Sequence, residues 1–157
     1  MPTIHIETRI RAPKQRVFDL SRSIDVHMDS QAHHGERAIG GKTKGLIGLG
    51  EEVTWSAWHL GFRQKLTSRI TAFSSPDYFR DSMVRGRFTR FDHDHYFEEA
   101  EDHTLMIDDF DYTAPLGPVG RLVDRLFLES YMTRLLKERC QLIKEVAESE
   151  KWRRYLV

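Results

Sequence analysis

At 157 residues the chain is long enough to form one domain that buries a core and still encloses an internal cavity. Hydrophobic residues make up 39%, too many for a disordered chain, and the 24 basic side chains are matched by 24 acidic ones. That balance excludes a general nucleic-acid binder, which needs a cationic surplus to neutralise phosphates.

Residues 3–11 alternate, with Ile4, Ile6 and Thr8 on one side and His5, Glu7 and Arg9 on the other. This predicts a strand with one wet face. Ala12-Pro13 ends it, and Pro13 suits the first turn of a helix carrying Val17, Phe18 and Leu20. A second short helix is expected over residues 24–30. His33-His34 follow in a solvent-facing loop, where a histidine pair is usually incidental.

From residue 36 the chain reads as a meander. Strands are expected at 36–41, 51–59, 63–73, 78–84, 89–98 and 104–113. The separators are turn formers: Leu60-Gly61, Ser74-Ser75-Pro76-Asp77, Arg85-Gly86-Arg87 and Ala100-Glu101-Asp102. Links this short imply antiparallel neighbours. Gly40-Gly41, Gly45, Gly48 and Gly50 match no phosphate-loop spacing and read as a flexible rim. Trp55 and Trp58 point to opposite faces of their strand, so at most one lines the interior.

After Pro115-Leu116-Gly117-Pro118 the tail is helical to about residue 149. On a helical wheel Leu128, Tyr131, Leu135, Leu142 and Val146 share one arc, with Met132 beside it. Val119, Leu122, Val123 and Leu126 fall on the opposite side. One straight helix cannot bury both faces against one sheet, so a bend or a separate short helix is expected near Phe127. That first segment either packs into core, guards a cavity mouth, or touches a membrane or partner. Helices at both ends of a meander make the fold class α+β: a curved antiparallel sheet of about seven strands wrapped around a long C-terminal helix.

The strand at 89–98 carries the chemistry. Phe91, His93, His95 and Phe97 share one face, which should be the concave one. The neighbouring strands add Phe79, Asp81 and Met83 on one side and Met106, Asp108, Phe110 and Tyr112 on the other. Pairing across the intervening turn sets His95 opposite Asp108. The expected interior therefore holds Asp81, His93, His95, Asp108 and Tyr112 among walls of Phe79, Met83, Phe91, Phe97, Phe110, Leu128, Tyr131 and Leu135. Three readings fit. The imidazoles and carboxylates satisfy each other as core; they orient a ligand; or they serve catalysis or a metal, since His-x-His on one face can bind zinc. No activated nucleophile accompanies them and no third metal ligand is fixed by spacing, so no catalytic residue, metal or cofactor is assigned.

Cys140 is the only cysteine, so an intrachain disulfide or a thiolate zinc cluster cannot form, and it reads as structural. Met1-Pro2-Thr3-Ile4-His5 lacks the apolar stretch of a signal peptide. No apolar run approaches the roughly 20 residues that span a bilayer, and a cytoplasmic location is expected.

Several stretches together resemble a known family: Gly45 to Trp55, Leu66 to Thr71, Phe79-x-Asp81 to Gly86, His93-x-His95-x-Phe97, and Asp111-Tyr112 followed by Pro115 to Leu122. In this order they are similar to a bacterial, ligand-binding branch of the SRPBCC (START-like) superfamily, over nearly the whole chain. The resemblance implies a helix-grip fold with a cavity between sheet and helix. Across the superfamily such cavities hold lipids, polyketides, hormones and other hydrophobic molecules, and some members are cyclases or aromatases. It transfers no catalytic residue. The expected function is binding or carrying a small hydrophobic molecule, with a cyclase, aromatase or dehydratase acting on a polyketide-like substrate, or a membrane- or protein-docking module, as alternatives.

Overall fold

In the computed structural model, which describes residues 3–157, seven strands form one antiparallel sheet in the order β1-β7-β6-β5-β4-β3-β2. They are β1 (Thr3–Ile10), β2 (Arg37–Gly41), β3 (Glu52–His59), β4 (Phe62–Ser74), β5 (Tyr78–Arg85), β6 (Arg90–Glu99) and β7 (Thr104–Thr113). Each expected strand is present with its bounds within one residue. Met1 and Pro2, where the N-terminal reading began, lie outside the described residues.

Local sequence explains the elements that set the sheet's shape. Ile4, Ile6 and Ile10 of β1 are buried while the residues between them are not. Pro13 precedes α1 (Lys14–Ser21), whose Val17, Phe18 and Leu20 are fully buried. The Ser23 hydroxyl accepts the Val26 amide at 3.2 Å and caps α2 (Ile24–Ser30). His33 and His34 lie in a single 3-10 turn, Ala32–His34, closed by Gly35 at φ 64°. The loop expected there is thus a helical turn, and His33 Nε2 stands 3.1 Å from Glu138 Oε2 of the C-terminal helix.

The C-terminal segment comprises α3 (Gly117–Val123), a π-helical turn over Asp124–Leu128, and α4 (Glu129–Ala147). The π turn is the break expected near Phe127, and it rotates the helix face between the two parts. The buried face of α4 differs from the expected stripe. Leu136, Arg139, Cys140, Ile143, Val146 and Ala147 are buried, a face turned by roughly 80° around the wheel from the one expected. Small Cys140 and Ala147, and the charged Arg139 hidden among them, carry no strong hydropathy signal. Leu128, Tyr131 and Leu135 are only half-buried, because they face a cavity.

Core packing is concentrated at one end. The Phe18 ring meets Phe73, Phe79 and Phe97 edge-on, at 5.2–5.6 Å between centroids. α4 packs against β1, α1 and α2. The sheet therefore grips the long helix, as the resemblance implied.

Candidate functional site

Between the sheet's concave face and α4 lies a cavity of about 440 Å³. Trp55, Ile70, Phe79, Phe91, Phe110, Leu135 and Leu136 supply apolar wall. Of the two tryptophans in β3 it is Trp55 that faces inward, with Val53, Ala57 and His59 on the same side of the strand, while Trp58 is exposed.

The expected polar cluster forms the floor. The register sets His95 against Asp108 and His93 against Phe110 on β7, and Asp81 of β5 against His93. His93 Nε2 lies 2.9 Å from Asp108 Oδ1, and His95 Nε2 lies 2.7 Å from Asp81 Oδ2. The His95 Nδ1 to Asp108 Oδ1 distance is 3.0 Å, but its alignment is too poor for a hydrogen bond, so that contact is electrostatic. The two imidazoles lie 3.8 Å apart between centroids with their planes tilted by 32°, and Phe79 stacks on His95 at 4.1 Å.

Beneath them sits Arg139, which the sequence reading missed. Its Nη1 donates to Asp108 Oδ1 at 3.2 Å, and its Nη2 donates to the Ser21 carbonyl and hydroxyl at 2.8 Å each. Its position among buried α4 residues three and four apart was the signal that could have found it. Asp108 thus receives His93, Arg139 and, at 3.4 Å, the Cys140 thiol.

This network sets the charges. Burial alone would raise the Asp108 carboxyl, but the His93 hydrogen bond, the close His95 imidazole and the Arg139 charge outweigh it and hold it well below the usual range. The same contest leaves Asp81 lowered, with His95 its main partner. Burial also disfavours charge on both histidines. For His95 the two carboxylates overcome it and its pKa is raised; for His93 burial and the neighbouring His95 charge prevail and its pKa is lowered. His95 therefore holds the proton in preference to His93, and Cys140, its thiol pushed up by burial, stays protonated.

Of the expected site residues, Asp81, Phe91, His93, His95, Phe110, Leu128, Tyr131 and Leu135 line the cavity. Four do not. Asp108 is 1% exposed and lies behind the imidazoles. Phe97 is turned into the Phe18 cluster. Tyr112 donates its hydroxyl to buried Asp124 and is pinned beneath α3. Met83, opposite Ser68 of β4, is half-buried against the core beside Gly86, outside the cavity lining.

A second polar group at the cavity wall was not expected. Gln31 donates its amide to the Leu135 carbonyl at 3.2 Å, leaving its buried Oε1 without a protein partner. His27 pairs with Glu36 at 2.5 Å, and His59 Nδ1 lies 2.8 Å from the Tyr131 hydroxyl. His59 is lowered, chiefly by burial. The alternation along β3 pointed to His59; nothing local marked Gln31. Two groups bring three metal-type ligand atoms within 4.8 Å of one another: Asp81, His93 and His95 on the floor, and His33, His34 and Glu138 outside it.

No protein-family model and no curated protein matches the chain. Solved structures do. TTHA0849 from Thermus thermophilus superposes with a TM-score of 0.74 at 16% identity, covering 92% of this chain and 95% of that one. Ginseng major latex-like protein 151 from Panax ginseng gives 0.66 at 14%, covering 94% and 98%. The di-domain ARO/CYC StfQ from the steffimycin biosynthetic pathway gives 0.74 at 12%, with 93% of this chain matching 50% of that one. At these identities the likeness establishes the helix-grip fold that the SRPBCC resemblance implied.

Proposed function

We propose that the protein binds a small, largely apolar molecule in the cavity between sheet and α4. The observation that carries this reading is the composition of that cavity: about 440 Å³ of mostly hydrophobic wall with polar groups gathered at two places. The floor offers His93, His95 and Asp81, of which Asp81 is the most open, and Gln31, His27 and His59 form the other group. The ligand is therefore apolar over most of its surface and carries a polar group toward Asp81.

The test uses the fluorescent probe 1-anilinonaphthalene-8-sulfonate together with native mass spectrometry of purified protein. The probe is expected to bind with one-to-one stoichiometry. Leu135→Trp, which fills the cavity from α4, should weaken it at least about tenfold while the fold is kept. Undiminished probe binding in that folded variant would refute the reading.

A second reading is favoured by one detail. His95 stands between two carboxylates with Asp81 on the cavity side, an arrangement able to move a proton to or from a bound molecule. The fold shared with an ARO/CYC protein is consistent with such acid–base work on a polyketide-like substrate. His95→Gln that keeps probe binding but abolishes turnover of such a substrate would support it; a wild type with no turnover would remove it.

A further inference from the structure

The α3 segment is built inside out. Gly120 and Asp124, four residues apart, face the protein: a Cβ on Gly120 would fall 1.5 Å from the Pro115 carbonyl oxygen, and Asp124 accepts the Tyr112 hydroxyl. Val119, Leu122, Val123, Leu126 and Phe127 are left in solvent, Leu126 at 75% exposure. Soluble proteins bury such a face. Three neighbours continue it. Leu60 and Phe62 at the β3–β4 turn and Leu116 before α3 are also exposed, and like Val123 and Phe127 they line the cavity, so the apolar surface surrounds its mouth.

Backbone conformation adds an independent sign. Among the described residues only two that are not glycine have positive φ, and both are leucines of this rim: Leu60 at 56° and Leu116 at 69°. A left-handed leucine is strained, and at these turns Asn or Gly would relieve it. Leu116 is 78% exposed, so the free chain gains no burial in return for that strain.

Charge identifies the occupant. The β5–β6 turn, whose Arg87 and Phe88 also line the cavity, joins the β3–β4 turn and the α3 segment at the rim, and these three segments carry Arg63, Lys65, Arg85, Arg87, Arg121 and Arg125. Their one acid is Asp124, which is buried. None of those six cations is paired with a carboxylate among the described residues; the paired arginines, such as Arg22, Arg69, Arg80 and Arg90, lie elsewhere. In a chain of net charge zero this is a local cationic field around exposed aliphatic side chains. A second copy facing it two-fold would set cations against cations. We infer that the cavity mouth docks on an anionic lipid surface, with the leucines of α3 and the two turns in the acyl boundary and the arginines at the headgroups.

That the ligand enters from the bilayer rests on the function proposed above; docking itself does not. The test is co-sedimentation with vesicles of phosphatidylcholine plus phosphatidylglycerol, against vesicles of phosphatidylcholine alone. Wild type should bind the anionic vesicles, lose binding as salt is raised, and bind the neutral ones weakly. Leu126→Asp should weaken binding at least about tenfold. Leu60→Asn and Leu116→Asn should weaken it too while leaving the melting temperature equal or higher, which a purely structural role would not produce. Leu135→Trp should bind vesicles like wild type. The inference falls if wild type stays in the supernatant, binds both vesicles equally, or loses vesicle binding when the cavity alone is filled. It also falls if the rim variants sediment unchanged, or if concentrated wild type self-associates through this face and Leu126→Asp abolishes that association.

Discussion

Two adjacent histidines on one strand face, at β-strand spacing and in one network, are driven in opposite directions by their partners. His95 lies between Asp81 and Asp108, whereas His93 Nδ1 is 3.9 Å from Asp81, beyond hydrogen-bond reach. Histidine ring-nitrogen NMR should therefore show His95 titrating above 6.5 and His93 below it. The consequences for stability have opposite signs. His95, raised on folding, stabilises fully below about 6.5, and that contribution is lost as pH rises through its folded pKa. His93, lowered on folding, binds its proton more readily in the unfolded chain, so it costs stability as pH falls below about 6.5. His93→Gln should shrink the acid-side loss, leaving the part that the lowered His59 contributes, and keep the alkaline decline set by His95, read from urea midpoints between about pH 5 and 8. Parallel profiles in wild type and variant would contradict this. Asp108 anchors both rings and Arg139, and its lowered pKa stabilises the fold above the usual carboxylate range. Asp108→Asn strands a buried arginine and should cost about 3–5 kcal/mol in a denaturant melt.

At the scale of elements, strand alternation and helix wheel succeeded where each side chain's hydropathy matched its environment. The seven strands and the His95–Asp108 register followed from alternation, because a one-residue slip would have turned Phe91, His93, His95 and Phe97 outward. The α4 face was misplaced because its inner row contains Arg139, whose charge reads as surface until Asp108 and Ser21 are seen to receive it. The polar group around Gln31 was invisible because it joins the end of α2, β3 and α4, which only the tertiary fold brings together. The α3 segment shows a different case. Its two apolar faces correctly signalled a break, yet its packing depends on Gly120, which has no hydropathy at all. Gly120→Ala forces the helix off Pro115, so α3 should detach while the sheet persists. The expected outcome is cleavage near residues 116–125 in limited proteolysis, with a melting temperature lowered by several degrees. Retained protease resistance would show that α3 is not held by this approach.

On the scale of the whole molecule, the cavity divides the fold into unequal parts. α4 packs on β1, α1 and α2, and the Phe18 cluster fills the space beside β5 and β6. Toward β2, β3 and β4 the sheet faces the cavity instead, with Val53, Trp55, Ala57 and His59 of β3 along its wall. Fewer buried contacts cross from helix to sheet there, and β2 is a free edge paired only with β3. Opening of that half costs less than global unfolding. Native-state hydrogen exchange should therefore show β1 and β7 amides exchanging on the order of a hundredfold more slowly than those of β2 and the outer part of β3. A molecule in the cavity would supply the missing contacts on one side only. Saturation with 1-anilinonaphthalene-8-sulfonate should slow exchange in β3 and β4 and leave β1 and β7 nearly unchanged. Equal protection across all seven strands before the probe is added, or a uniform change after it, would mean that the cavity does not separate the fold energetically.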